Sequence, residues 1–223
     1  MDVYLFLLLN LFLSLKIIFY FKANKKLSLI FKMLTSFTFL AVGAYGLSQT
    51  SVNEFHLIMF LGLMLGAIGD FFLELIQKKN FLLYGIFFFL MGHIFYIIAF
   101  SFIIQFNIIE VLVFVSLLVL SMFTFKYFSF DFGKLKYPVY VYTIVISAMV
   151  SRAFSISLGD YDLTIKLLVI FGSSLFVLSD YIINFTLFKK VPKIWIVVNL
   201  LTYYFGQFLL ALLILYVWSI DEF

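Results

Sequence analysis

The chain has 223 residues, of which 65% are hydrophobic and 12% are charged, and its formal net charge is +4 at pH 7. A composition this apolar excludes an ordinary soluble globular domain and is typical of a polytopic membrane protein. The sequence contains no cysteine, which excludes disulfides, thiolate nucleophiles and cysteine metal sites.

Eight apolar runs, separated by short polar breaks, are long enough to cross a membrane, because a spanning helix needs roughly 20 apolar residues. The predicted spans lie at about 3–21, 27–47, 55–76, 80–103, 107–125, 138–157, 164–188 and 193–218. The first run contains Lys16 and lacks a basic start and a small-residue cleavage site, so we interpret it as a retained helix. The sequence therefore predicts an all-α fold, a single polytopic membrane domain of eight helices over residues 1–223.

Charged residues alternate in sign between successive breaks. One set of breaks carries Lys22, Lys25, Lys26, Lys78, Lys79, Lys126, Lys134, Lys136, Lys189, Lys190 and Lys193. The other set and the two ends carry Asp2, Glu54, Glu110, Asp160, Asp162, Asp221 and Glu222. Because cytoplasmic loops are rich in lysine and arginine, we expect the first set in the cytoplasm and both termini outside it, in a plasma membrane of the bacterial inner-membrane type. The positive charge is then a topology signal, and no nucleic-acid partner is expected.

Ionisable side chains inside the predicted spans are the first place to look for function. Asp70 lies about six residues from the lysine-rich end of the third span, and Glu74 is one turn nearer to that end. Gly62 and Gly66 precede Asp70 on the same helical face, so we expect Asp70 to face a close helix contact. The structural alternatives are an interhelical hydrogen bond for Asp70 and a position at the headgroup boundary for Glu74.

His93 lies near the centre of the fourth span, with Tyr96 three residues later on the same side. A histidine at this depth can relay a proton, although a satisfied core histidine has the same appearance in the sequence. The one other histidine, His56, lies near the opposite surface. A histidine-based zinc site is therefore not expected, and no metal or cofactor is predicted.

The last two spans carry a second set of polar residues. Asp180 lies at a depth similar to that of Asp70, and Asn184 follows it by one turn. In the eighth span Asn199, Tyr203 and Gln207 recur at a spacing of four, which places one polar stripe on an apolar helix. Structural hydrogen bonds would explain this stripe equally well.

The basic residues within the spans have two interpretations. Lys32 is a turn or more inside the second span, where it either snorkels or binds a phosphate or carboxylate. Lys16, Arg152 and Lys166 lie near span ends, and we expect them to snorkel. Sorted by depth, the polar residues that could converge on one cavity open to the cytoplasm are Lys32, Asp70, Glu74, His93, Asp180, Asn184, Tyr203 and Gln207. Such a cavity suits an amphipathic substrate.

A weak internal repeat is also indicated. Placing the second half of the chain on the first so that Asp180 falls on Asp70 also aligns Gly69 with Ser179, Glu74 with Asn184, and His93 with Tyr203. The shift covers four spans and preserves their direction, so it predicts two parallel four-helix units over about 1–105 and 106–223.

Four motifs, GAIGDFFLEL, YGIFFFLMGHIFYI, FVLSDYIINF and TYYFGQFLL, resemble in this order those of the YhhN-like, or lysoplasmalogenase, membrane family. The resemblance covers most of the chain. The family's lysine in the second span corresponds to Lys32 in KMLT, where the proline that usually follows is missing.

The resemblance implies an integral membrane hydrolase that cleaves the vinyl ether of lysoplasmalogens, with a lysophospholipid as substrate and membrane lipids as surroundings. The products would be a fatty aldehyde and a glycerophosphoethanolamine or glycerophosphocholine. Vinyl ether hydrolysis starts with protonation of the β-carbon, which gives an oxocarbenium ion that water captures. A buried carboxyl group can hold the required proton, and a second carboxylate can stabilise the cation.

For this chemistry, depth in the membrane and shared helical faces motivate a hypothesis for the role of each site residue. We expect Asp70 and Asp180 to be the acid and the stabiliser, in either order, with Glu74 and His93 orienting groups or relaying the proton. The expected substrate-binding residues are Lys32, Tyr96, Asn184, Asn199, Tyr203, Tyr204 and Gln207. A proton-coupled transporter of a lipid or small solute is the alternative, because rows of intramembrane acids and histidines also form proton relays. A lipid-binding scaffold without turnover is a third possibility.

Overall fold

In a computed structural model of the protein, residues 2–75 and 80–217 are described. Within these ranges the chain forms eight α-helices, all long and apolar enough to cross a membrane. They are α1 (Asp2–Phe21), α2 (Lys25–Gln49), α3 (Glu54–Glu74), α4 (Phe81–Ile103), α5 (Ile108–Tyr127), α6 (Lys136–Leu158), α7 (Leu163–Phe188) and α8 (Ile194–Tyr216). A single 3-10 turn, Gly133–Leu135, precedes α6.

The eight helices confirm the predicted all-α, multi-pass membrane fold, and each helix end lies within two residues of its predicted position. The location of the termini outside the cytoplasm stays a prediction. The charges predicted for Lys78, Lys79, Asp221 and Glu222 lie outside the described residues. We call the end of the bundle where α1, α3, α5 and α7 end and α2, α4, α6 and α8 begin the lysine-rich end.

Asparagine caps begin three of the helices. The Asn24 side chain accepts a hydrogen bond from the Leu27 backbone N–H at the start of α2. Asn53 and His56 form a capping box at α3, and Asn107 and Glu110 form another at α5. These side chains satisfy backbone N–H groups that a helix leaves without internal partners. The polar breaks of the sequence thus define where each of these helices begins.

The helices pack in chain order within each half of the bundle. In the first half α1 packs on α2, α2 on α3 and α3 on α4, and the same order holds from α5 to α8. The two halves meet where α2 packs on α8 and where α4 packs on α6. Asp70, Asp180 and their neighbours lie along this junction because α3 and α7 each pack beside it.

Close glycine contacts hold two of the helix pairs. A Cβ atom built on Gly92 of α4 would lie 3.2 Å from the carbonyl oxygen of Gly62 on α3. A Cβ atom built on Gly206 of α8 would lie 3.0 Å from the carbonyl oxygen of Gly172 on α7. Side chains at these positions would force the helices apart. Asp70 lies two turns from Gly62 on the same face and is 2% exposed, which confirms that it faces the bundle interior.

Two basic residues that were expected to snorkel are buried ion-pair partners, so that prediction was wrong for them. Arg152 donates one hydrogen bond to Glu110 Oε1 at 2.5 Å and another to the carbonyl oxygen of Ile104. Lys16 is 3% exposed, and its Nζ lies 2.5 Å from Glu74 Oε1. Helix packing brings an acid within reach of each cation, and depth in the span alone does not reveal such a partner.

Candidate active site

The carboxylate of Asp70 lies between α2, α3 and α8 and has three polar neighbours. Ser36 Oγ and Tyr203 OH donate hydrogen bonds to Oδ2 at 2.7 and 2.8 Å. Lys32 Nζ lies 3.5 Å from Oδ1. Each carboxylate oxygen therefore faces a donor or a cation, and these contacts favour an ionised Asp70 despite its burial.

A chain of hydrogen bonds extends from Tyr203 deeper into the bundle. Tyr96 OH donates to Gln207 Oε1 at 2.7 Å, and Gln207 Nε2 donates to Tyr203 OH at 3.5 Å. Gly66 leaves the room for this amide, since a Cβ atom there would lie 2.7 Å from Gln207 Nε2. The arrangement fixes the Tyr203 hydroxyl that donates to Asp70.

Glu74, one turn from Asp70, binds two lysines. Lys16 Nζ and Ser28 Oγ donate to Glu74 Oε1 at 2.5 and 2.7 Å, and Lys16 Nζ also donates to Ser28 Oγ at 2.6 Å. Lys32 Nζ lies 3.8 Å from Glu74 Oε2. Lys32 thus lies between the two carboxylates, so neither buried charge is left without a counter-ion.

Asp180 of α7 has a different set of partners. Tyr142 OH of α6 donates to Asp180 Oδ2 at 2.7 Å. His93 Nε2 of α4 lies 2.8 Å from the Tyr142 hydroxyl and 3.6 Å from Asp180 Oδ2. Among the described ion pairs, histidine is the one basic residue beside Asp180. His93 Nδ1 is buried without a hydrogen-bond partner in the described part of the chain, so the described polar contacts of the ring are made by Nε2.

Asp70 and Asp180 line one cavity, which we call the carboxylate cavity. Its volume is about 80 Å³, which is smaller than the roughly 300–1,000 Å³ usual for small-molecule sites. Its polar lining consists of Lys32, Asp70, Tyr142, Ser179, Asp180, Asn184, Asn199 and Tyr203. Most of the remaining lining is aliphatic and comes largely from α4, α6 and α7, including Leu82, Ile86, Val139, Ile183 and Leu187. The structure thus brings together two aspartates from opposite halves of the chain.

The two asparagines of this lining are held by their own neighbours. Asn184 Nδ2 donates to the backbone carbonyl of Asp180 at 2.8 Å. Asn199 Nδ2 donates to the carbonyl oxygen and to Oγ of Ser179 at 2.7 and 2.9 Å. The described contacts include no hydrogen bond to either amide oxygen, so each oxygen can accept one from a bound molecule.

A second cavity adjoins the first at the lysine-rich end, and we call it the lysine vestibule. Its charged lining consists of Lys16, Lys25, Lys32, Glu74 and Lys193. Six residues line both cavities: Lys32, Leu73, Ile183, Leu187, Asn199 and Leu200. A molecule that occupied both cavities would therefore pass between Lys32 and Asn199.

The predicted site residues divide into a lining and a supporting set. His93, Tyr96, Tyr204 and Gln207 are buried behind the cavity walls and are not among the described residues that line either cavity. Tyr204 supports α2, because its hydroxyl donates to the carbonyl oxygen of Lys32 at 3.2 Å. The described contacts of these four residues are with other protein groups, and their predicted roles in the site stay predictions.

Four contributors were missed by sequence reasoning: Lys16, Ser28, Ser36 and Tyr142. Ser28, Lys32 and Ser36 recur at a spacing of four, the same signal that revealed the polar stripe of the eighth span, so the two serines could have been found. Tyr142 has no comparable local signal. Among the described residues, no group of three or more His, Asp or Glu side chains could hold a metal ion.

These features define a multi-pass membrane protein with a carboxylate-lined cavity inside its helix bundle and a basic vestibule at one end. A family model described as the YhhN family matches residues 27–214. The chain belongs to the YhhN family, as its motifs indicated. The match contains every predicted site residue, whereas Lys16 lies before it. No curated protein and no solved structure matches the chain significantly.

Proposed function

We propose that the protein is an intramembrane hydrolase that cleaves the vinyl ether bond of lysoplasmalogens, acting from the cytoplasmic leaflet of the plasma membrane. Membership of the YhhN family supports this proposal. The observation that carries it is the pair of aspartates on one cavity, each with different partners. Vinyl ether hydrolysis needs one acid that can give a proton and one anion that can stabilise a cation.

The partners of the two aspartates suggest which one is the acid. Asp70 accepts two hydroxyl hydrogen bonds and faces the Lys32 ammonium, which suits an anion. Asp180 accepts one hydroxyl hydrogen bond and has a histidine nearby in place of a lysine, so protonating Asp180 breaks no lysine ion pair. We therefore assign Asp180 as the general acid and Asp70 as the stabilising carboxylate.

The proposed reaction has three steps: protonation, addition of water and cleavage of a hemiacetal. The π electrons of the vinyl ether form a new C–H bond with the proton of Asp180, which leaves an oxocarbenium ion near the Asp70 carboxylate. Water adds through its oxygen to the cationic carbon and returns a proton to Asp180. The resulting hemiacetal gives up its hydroxyl proton as its C–O bond to the glycerol breaks. The glycerol oxygen takes up a proton, and the aldehyde is released. The net change is the addition of one water and the cleavage of one C–O bond.

The supporting residues act through these two carboxyl groups. The His93 and Tyr142 pair forms a hydrogen-bonded path by which Asp180 exchanges its proton and keeps its orientation. Lys16 and Glu74 hold Lys32 beside Asp70. The aliphatic lining of the carboxylate cavity suits the alkenyl chain, because it offers apolar surface without competing polar groups.

Aldehyde release by the purified protein in detergent tests the proposal. We expect turnover of a vinyl ether lysolipid by the wild-type protein. Asp180→Asn and Asp70→Asn should each lower kcat by about 10²-fold or more, because both keep the size of the side chain but remove its acid or its charge. Asp160→Asn, a change in an exposed loop residue, is the matched control and should leave kcat unchanged. Folded Asn variants with wild-type turnover would refute the assignment.

The same experiment separates the hydrolase from a proton-coupled transporter. A transporter would produce no aldehyde in detergent but would move its substrate across a sealed bilayer in a pH-dependent way. The hydrolase needs no sealed compartment, so its turnover in detergent and in proteoliposomes should be similar.

A further inference from the structure

The carboxylate cavity is too small to hold a whole lipid chain. Its volume is about 80 Å³, whereas that of the adjoining lysine vestibule is about 580 Å³. An apolar cavity of about 150 Å³ holds one benzene molecule. The carboxylate cavity therefore fits a vinyl ether with a few adjoining atoms, and the rest of the chain has to leave it.

The positions of the two aspartates determine which way a vinyl ether would lie. Asp70 is next to Lys32, which also lines the vestibule. Asp180 contacts Tyr142 of α6 and lies 3.6 Å from His93 of α4. In a vinyl ether the carbon that takes up the proton is on the chain side, and the carbon that becomes cationic is bonded to the glycerol oxygen. With Asp180 as the acid and Asp70 as the stabiliser, the chain points towards α4 and α6, and the glycerol points towards the vestibule.

Side chains close two of the boundaries between the helices around the cavity. Between α3 and α4, a Cβ atom built on Gly85 would lie 2.6 Å from Leu73 Cδ2, so these helices are in close contact there. Between α6 and α7, Val139 and Phe188 belong to one hydrophobic cluster with Phe132, and the rings of Phe132 and Phe188 are 4.9 Å apart. A chain would therefore leave by the third boundary, between α4 and α6.

The boundary between α4 and α6 is apolar from the cavity to the surface. Leu82 and Ile86 of α4 and Val139 of α6 line the cavity here, and we call these three residues the α4–α6 portal. Leu82 and Ile86 are partly exposed, and their neighbours Leu83 and Phe87 are 42% and 52% exposed. Lipid tails are as apolar as these side chains. The portal thus continues into a surface that suits the hydrocarbon of a membrane.

The vestibule is a poor exit for the chain because its lining is charged. Lys16, Lys32 and Glu74 form a buried ion-pair cluster in its wall. Methylene groups packed against these charges would displace water without replacing its hydrogen bonds, which costs free energy. Among the described residues that line the carboxylate cavity and not the vestibule, Asp70 and Asp180 are the charged ones.

We propose that the alkenyl chain of the substrate leaves the carboxylate cavity through the α4–α6 portal into the surrounding lipid, so that the protein encloses only the carbons next to the vinyl ether. The inference rests on the proposed hydrolase function and adds the chain-binding part of the same site. Leu82 and Ile86 are then the residues that determine which chains can pass.

The kinetic test narrows the portal with tryptophan. Two vinyl ether lysolipids share one headgroup and carry either a hexadecenyl or a butenyl chain. Ile86→Trp should lower kcat/KM for the hexadecenyl lipid by about tenfold or more, because the long chain has to pass the added ring. It should lower kcat/KM for the butenyl lipid by about twofold at most, since the short chain ends near the cavity.

The control places the same bulk on the outer face of the same helix. Leu83 is exposed and is not among the residues that line the cavity, so Leu83→Trp should leave both kcat/KM values unchanged. Leu82→Trp should repeat the selective loss, and it replaces Ile86→Trp if that variant does not fold. Equal losses for the two lipids in folded portal variants, no loss for either lipid, or the same loss in Leu83→Trp would each overturn the inference.

Photolabelling keeps this inference separate from the proposed function. A saturated alkyl ether lysolipid, which cannot be hydrolysed, carries a diazirine on its chain a few carbons from the ether. Mass spectrometry then locates the label on the full chain in detergent. Label on Leu82, Ile86 or Val139 supports the portal even if no aldehyde is formed. Label confined to vestibule residues such as Leu29 and Ile196, or no label that unmodified lipid competes away, contradicts the portal even if turnover is observed.

Discussion

The two halves of the bundle pack in the same way but differ in the chemistry beside their buried aspartates. Gly92 meets Gly62 O, Gly66 N and Leu65 Cβ on α3, and Gly206 meets Gly172 O, Phe176 N and Leu175 Cβ on α7. The sequence alignment that places Asp180 on Asp70 also places Gly172, Leu175 and Phe176 on Gly62, Leu65 and Gly66, so the two glycines contact corresponding atoms. The two most extensive helix contacts between the halves are α2 with α8 and α4 with α6, and a shift of four helices converts each of these pairs into the other. The repeat stays a prediction, which these contacts support.

The glycine contacts correct one pair of the predicted repeat. They pair Gly92 with Gly206, so His93 corresponds to Gln207, one turn beyond the predicted Tyr203. The reason is the length of α7, which continues for one turn past Asn184, whereas α3 ends at the corresponding Glu74. The extra turn shifts the register of the helix that follows.

The side chains beside the two aspartates show what the halves do differently. Lys32 and Tyr142 are related by the same shift as the aspartates, and each lies next to the aspartate of its own half. The first half therefore pairs Asp70 with an ammonium group, and the second pairs Asp180 with a hydroxyl group. One scaffold can thus hold one carboxylate as an anion and leave the other free to carry a proton.

Replacing Tyr142 by lysine, the residue found at the corresponding position 32 of the first half, should have the largest effect on activity. In Tyr142→Lys an ammonium beside Asp180 would stabilise its anion, so the acid is lost and kcat should fall by about 10²-fold or more. Tyr142→Phe removes only the hydroxyl bridge to His93 and should lower kcat by about tenfold. Aldehyde release measured across pH checks both. The division of roles is wrong if the lysine variant is as active as the phenylalanine variant.

Removing the cation of the first half should affect both activity and stability. In Lys32→Met the two carboxylates Asp70 and Glu74 keep a single lysine, Lys16, which pairs with Glu74. Breaking a buried ion pair typically lowers the free energy of unfolding by about 3–5 kcal/mol. We expect a lower Tm in detergent and a fall in kcat. Lys166→Met, at a half-buried position near the other end of the bundle, is the control and should change neither quantity measurably. A stable, active Lys32→Met variant would show that Asp70 does not act as an anion.

The two glycine contacts should respond unequally to alanine. A Cβ atom on Gly206 would meet two backbone atoms, at 3.0 and 3.1 Å, whereas one on Gly92 would meet a single backbone atom at 3.2 Å and the next at 3.7 Å. Gly206→Ala should therefore lower stability by about 1–3 kcal/mol. In Gly92→Ala the better helix propensity of alanine offsets most of the cost. Thermal unfolding in detergent measures the difference, and equal Tm values would contradict the close contact at Gly206.

The helices could be predicted from the sequence because apolarity and length are local properties of each span. Which face of α3 points into the bundle could also be predicted locally, because Gly62, Gly66 and Asp70 recur at a spacing of four residues. The side chains that contact the carboxylates are far from them in the sequence and could not be predicted in this way. Tyr142 meets Asp180 across 38 residues, and Lys16 meets Glu74 across 58.

Residues such as Tyr142 and Lys16 could not be assigned because their roles depend on which helices pack together. Packing order is set by small residues and shape across the whole bundle, and a hydropathy pattern does not contain it. The same applies to Arg152, whose partner Glu110 lies on the preceding helix and which depth alone assigned to the surface. Sequence reasoning located the two aspartates of the carboxylate cavity and missed several of the groups that contact them, and it placed the buried Glu110 in a loop.

Glu74 and Asn184 are corresponding residues of the two halves at the lysine-rich end. Of the changes considered, substitutions at these two positions should have the smallest effects on stability and activity. Asn184 donates only to the carbonyl of its own helix in the described contacts, so Asn184→Ala should change stability by about 0.5 kcal/mol or less. Because Asn184 lines the carboxylate cavity, we expect KM to rise about two- to threefold in this variant with kcat unchanged. Glu74→Gln should instead lower kcat by about tenfold, since Lys16 and Lys32 lose their shared anion. An equal fall in kcat for both variants would mean that the Asn184 amide acts on the reacting atoms, and the two halves would then contribute similarly at this position.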